Sequence, residues 1–157
     1  MKFTLINNIK KDKAMKFILT GFLGFILLYL ISDIMVKYFG FGVTADAIKV
    51  TLFGNEDEFI DPITKASFLE FWHTEIFFMM MILFTLSAIY IRLSNRSRVF
   101  MTNMLMVSAL TSLITLAMAY FVSDTFIYIY VITFFIWHLT ALYMILYSFW
   151  KLYGKSI

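Results

Sequence analysis

Four apolar blocks, at residues 17–36, 68–91, 99–122 and 126–150, constrain this chain more than any other feature. Each is about 20 residues or longer. An α-helix rising about 1.5 Å per residue needs that length to cross a hydrocarbon layer about 30 Å thick. The runs lack the alternation of a membrane barrel, so helices are expected. The 157 residues are 62% hydrophobic and 15% charged, against about 45–50% and about 25% in soluble domains. A soluble globular enzyme and a disordered chain are thereby excluded, and a chain without cysteine is no disulfide scaffold. The expected fold is an all-α integral membrane protein: a four-transmembrane-helix bundle forming one domain over residues 1–157, with an outer loop at 37–67.

Basic residues are placed unevenly. Lys2, Lys10, Lys11, Lys13 and Lys16 precede the first block; Arg92, Arg96 and Arg98 lie between the second and third; Lys151 and Lys155 follow the fourth. Ten of thirteen basic residues thus fall at one end, and nine of ten acidic residues, all but Asp12, at the other. By the positive-inside rule both termini face the cytoplasm, in a multi-pass protein of a bacterial inner membrane. This placement accounts for the net charge of +3 without nucleic acid. The first block is longer than a signal h-region and no A-x-A site follows it, so it reads as a retained span. Lacking cysteine, the chain offers no thiolate metal site, iron–sulfur cluster or cysteine-attached haem.

The outer loop has local structure of its own. Thr44 as N-cap and Gly54 as C′ residue frame a short amphipathic helix over 45–53, lying on the membrane surface or against the bundle. Asp61-Pro62 is a helix-start pair, which places the start of the second long helix near Pro62. Glu56, Asp57, Glu58 and Asp61 form an acidic run whose spacing does not match an EF-hand. It reads as a solvated acidic loop or as a docking patch for a basic partner.

Ionisable side chains inside spans are costly and are functional candidates by default. Asp33 lies near the outer end of span one, Glu70, His73 and Glu75 in the outer part of span two, and His138 near the middle of span four. Glu70 and His73 share a helix face. A di-iron centre needs a second Glu-x-x-His pair and two more glutamates, which the chain does not supply. A mononuclear metal held by His73, Glu70, His138 and Asp33 is one alternative. Two histidines on different spans also suit axial ligation of one b-type haem. From Asp61 and Asp124 the two lie at similar depths of about 17 and 20 Å; from Phe68 and Phe126 the depths differ, at about 8 and 18 Å. The plain alternative has His73 bonded to Glu70 or Asp33, and His138 to a hydroxyl on span three.

The rest reads as packing. Ser108, Thr111, Ser112, Thr115 and Ala119 form one small, hydroxylated face on span three, with Gly21, Gly24 and Ser32 as a similar stripe on span one. Aromatic residues near the span ends form an interfacial belt. The methionines point in different directions around their helices and read as apolar filler rather than copper ligands. No nucleotide loop, catalytic triad or internal repeat is present.

The stretch Gly54-Asn55-Glu56, then Asp61-Pro62, then Leu69-Glu70-Phe71-Trp72-His73-Thr74-Glu75 resembles a group of small bacterial four-span inner-membrane proteins of respiratory gene clusters. Among them is the membrane protein encoded beside clade II nitrous oxide reductases. Their second span opens Leu-Glu-x-x-His-x-His; Glu70 and His73 match, and Glu75 stands where that group has its second histidine. The resemblance covers about residues 42–81 and implies a respiratory setting. With the residues above, it gives the leading expectation: a subunit passing electrons between quinol and a periplasmic cytochrome or reductase. His73 and His138 would ligate one b haem, with Glu70, Asp33 and Glu75 supporting or handling protons. The rivals are a cofactor-free accessory or anchor subunit, held by membrane lipid and other subunits of a complex, and a small membrane metal-site protein.

Overall fold

The computed structural model describes residues 12–94 and 98–154. Lys2, Lys10, Lys11, Arg96 and Lys155, which entered the topology argument, lie outside the described residues. Four long helices, α1 (Lys13–Val36), α3 (Lys65–Leu93), α4 (Arg98–Phe121) and α5 (Phe126–Tyr153), are joined by one short helix, α2 (Ala45–Phe53), and two single turns. The long helices have the length and apolar composition to cross a membrane. The chain is a multi-pass, all-α membrane protein. Up-and-down order brings the start of α1 beside the end of α5, where the Thr20 and Tyr153 hydroxyls are 2.9 Å apart and Lys16 Nζ lies 4.0 Å from the Tyr153 ring centre.

α4 and α5 form the most extensive contact, and α3 packs on both. The buried face of α4 carries Ser108, Ser112, Thr115 and Ala119, whose small size permits close helix approach. The Ser108 and Thr115 hydroxyls need no partner helix: Ser108 donates to Met104 O at 2.6 Å and Thr115 to Thr111 O at 2.7 Å. The stripe expected on span one is not its packing face. Gly21 and Ser32 are exposed, and Gly21 and Gly24 have open space where a side chain would stand. α1 instead buries Leu23, Ile26, Leu30 and Asp33. Spaced by three and four residues, they share one helix face, and the larger side chains fill the contact that the glycines would leave empty.

Two boundaries depart from the sequence reading. The chain does not enter a loop after Val36 but stays helical as a π-helical turn over Lys37–Phe41, closed by Gly42 N donating to Lys37 O at 2.6 Å. The wider turn brings Phe41 onto Phe71, with the rings stacked at 4.6 Å. Gly42 has φ +97°, and a Cβ there would stand 2.8 Å from Ala47 C. The long helix after the loop begins at Lys65, not Pro62. Ile63 N donates to Thr51 O at 3.0 Å, which holds that strand of chain extended, and Thr64 caps the helix by accepting from Ser67 N at 3.1 Å.

α2 starts at Thr44, whose hydroxyl accepts from Ala47 N at 3.3 Å, and stops at Gly54, with φ +79°. It buries Ile48 and Leu52 and packs against α5, so its apolar side serves the bundle. Lys49 Nζ bonds Asp124 Oδ2 at 2.6 Å, tying α2 to the α4–α5 turn. This hydrogen-bonded charge holds the Asp124 carboxyl below the usual carboxylate range, and Asp124 holds the Lys49 amine above its own.

Candidate functional site

The chemistry-bearing side chains that meet inside the bundle come from α1, its π-helical extension, α3 and α5. Asp33 and Lys37 are four residues apart on one helical face, and Lys37 Nζ donates to Asp33 Oδ1 at 2.6 Å. The same ammonium donates to Glu75 Oε1 on α3 at 2.8 Å. His138 on α5 approaches the other oxygen of Asp33, with Nε2 3.0 Å from Oδ2. Exposure of the Lys37, Asp33 and His138 side chains is 5% or less, and that of Glu75 is 12%.

The hydrogen bonds constrain the proton inventory. His138 Nδ1 lies 3.0 Å from Phe134 O. A backbone carbonyl only accepts, so Nδ1 carries a hydrogen. Nε2 faces a carboxylate oxygen, and a hydrogen bond there needs one proton on either His138 or Asp33. With that proton, two cations face two anions or one of each, and the network is neutral. Neutrality matters because an uncompensated charge in a medium of low dielectric is penalised by several kcal/mol.

Aromatic rings enclose the group. Lys37 Nζ lies 5.2 Å from the centre of Phe134 and 5.8 Å from that of Phe71, within cation–π range. Trp137 packs on the imidazole at 3.7 Å between centres, and its indole N–H has no hydrogen-bond partner among the described residues. The Tyr29 and Tyr130 phenols lie within electrostatic reach of both carboxylates. A hydrocarbon layer of about 30 Å anchored at Arg92 and Lys151 reaches to about residue 72 on α3 and 131 on α5. Glu75 then lies about 3–5 Å, and His138 about 10 Å, inside the acidic-side edge.

The sequence-derived candidates divide accordingly. Asp33, Glu75 and His138 converge. Glu70 and His73 do not join them: both are exposed on the outer face of α3, so His73 and His138 are not a facing pair. His138 bonds a carboxylate on α1 rather than a hydroxyl on α4. Trp72 turns to α4, donating to Leu113 O at 3.0 Å. Glu56, Asp57, Glu58 and Asp61 are exposed on the loop, where Asn55 and Ile60 exchange backbone bonds at 2.9 and 3.0 Å around the turn Glu56–Glu58. Lys37, the cation at the centre, is not among the residues singled out from the sequence. Its four-residue spacing from Asp33, which favours ion pairing on a helix, was the available signal. Among the described residues no group of three or more His, Asp or Glu is arranged to hold a metal ion within one chain.

No curated protein and no solved structure matches this chain. A family model for a transmembrane helical domain matches residues 42–156, a stretch that includes α2 to α5 and supplies Glu75 and His138 to the network. The chain belongs to that family, Aq_1264_TM.

Proposed function

We propose that the chain is a proton-handling subunit of a membrane complex, and that Asp33, Lys37, Glu75 and His138 are the residues that hold and exchange the proton. The observation that carries this reading is the 3.0 Å contact between His138 Nε2 and Asp33 Oδ2, with Nδ1 committed to Phe134 O. That contact supports the reading because a hydrogen bond between the two groups needs one proton, in the part of a bundle where such groups are rare and mark ion or proton routes. Lys37 orients both carboxylates, and Glu75, at 12% the most exposed side chain of the four, is where a proton enters or leaves. The respiratory setting implied by the resemblance of residues 42–81 makes quinol-linked electron transfer the natural context. Ligation of a b haem by His138 would require it to release one of its two bonds, and His73 to approach from the outer face of α3.

The test is infrared difference spectroscopy across a pH jump on the full chain in lipid. Under this reading, carboxyl and imidazole bands titrate together, and both changes vanish in His138→Gln and in Asp33→Asn. Absence of any such paired titration between about pH 4 and 10 would sink it. A second reading, the cofactor-free anchor subunit, draws on the four buried residues by which α1 meets the bundle; the network is then a clamp. In that case His138→Gln lowers stability while the wild-type spectrum shows no shared titration.

A further inference from the structure

Glu70 and His73 are left over by the network, and their placement suggests a use. They are three residues apart on the exposed face of α3, and neither side chain has a bonding partner among the described residues. Glu75, two residues beyond His73, is turned the other way to reach Lys37. With the hydrocarbon layer anchored at Arg92, His73 stands at its edge and Glu70 about 3–5 Å outside. Below them the same face continues as Phe77, Met81, Phe84, Ala88 and Ile91, all exposed, with steps of three and four residues. Those steps keep the residues on one helix face, continuous with Glu70 and His73.

We infer that Glu70 and His73 form half of a divalent transition-metal site that a second copy of this chain completes. Imidazole and carboxylate are ordinary zinc ligands, and a tetrahedral site needs four. One chain supplies two. A second copy inserted in the same orientation, related by a two-fold axis along the membrane normal, presents the same two residues at the same depth, as an isologous contact requires. The second Glu-x-x-His pair that a single chain lacks is then supplied by symmetry. The metal would also neutralise two glutamates brought face to face, a juxtaposition that is otherwise repulsive. With no cysteine in the chain, the ligand set is nitrogen and oxygen, suited to zinc or ferrous iron.

The test uses the full chain in mild detergent, with zinc as the probe. Mass is measured by light scattering with zinc and then with EDTA, and bound metal by elemental analysis. The expected result is a dimer holding about one zinc per two chains, reverting to monomer in EDTA. His73→Ala and Glu70→Ala should lose both the zinc and the dimer while keeping the wild-type circular dichroism. Since the chain is free of cysteine, Phe77→Cys gives a single attachment point, and a short bis-maleimide should link two copies in zinc but not in EDTA. A monomer at every zinc concentration, or a dimer indifferent to His73→Ala, would overturn the inference. Zinc binding by a monomer that survives both alanine variants would overturn it equally.

Discussion

Replacing Lys37 by methionine isolates the central cation of the buried network. The substitution keeps an unbranched side chain of similar length, so the change is mainly one of charge and bonding. It removes the donor of two short bonds, 2.6 Å to Asp33 and 2.8 Å to Glu75. Two carboxylates then remain with one shared proton at His138, and the group carries a net negative charge among buried side chains. Removing one partner of a buried ion pair destabilises by about 3–5 kcal/mol, because the remaining charge has lost its compensation. The comparison is Lys13→Met at the exposed end of α1, expected within about 0.5 kcal/mol of wild type. Reversible unfolding in mixed micelles of increasing dodecyl sulfate content, followed by circular dichroism, gives both values. Adding Glu75→Gln to Lys37→Met removes the surplus charge. The pair should therefore couple by about 1–3 kcal/mol, the double variant being more stable than the sum of the singles. If Lys37→Met unfolds like Lys13→Met, or if the two substitutions are additive, the account of Lys37 as the compensating cation is wrong.

Two more outcomes follow from the fold. Gly42→Ala forces a side chain into positive φ and within 2.8 Å of the α2 backbone, so a loss of about 1–3 kcal/mol is expected, read by the same unfolding assay. The Asp124 carboxyl is held low by Lys49, so its contribution is present above the ordinary carboxylate range. It is lost as pH falls below about 4. Asp124→Asn should therefore flatten the acid side of a melting-temperature profile, by an amount that shrinks in high salt because the pair is exposed; an unchanged profile would show that the pair contributes nothing.

How much of this could be read in advance depends on the range of the interaction. The four spans were legible because hydrocarbon imposes a length and a composition that no local preference overrides. Thr44 and Gly54 framed α2 because capping is settled within a few residues. The start of α3 was misplaced because Asp61-Pro62 is a valid local signal that loses to a distant bond, from Ile63 N to Thr51 O. Asp33, Glu75 and His138 could each be singled out, since a charge in a span needs a reason. That they meet depends on the order of helices around the bundle, which no periodicity encodes. Lys37 was passed over because a basic residue after an apolar block is the ordinary mark of a span end. The π-helical turn that keeps it helical has no sequence signature.

The network also has a history within each molecule's synthesis. Asp33 and Lys37 emerge together and can neutralise one another at once, as an adjacent pair on a single helix. Glu75 follows 38 residues after Lys37, and from then the set has an excess negative charge. His138 emerges 105 residues after Asp33. At about 5–20 residues per second that is an interval of about 5–20 s. Through the later part of that interval the first three members stand without the fourth, with one negative charge in excess. The arrival of α5 is the event that restores neutrality to the set.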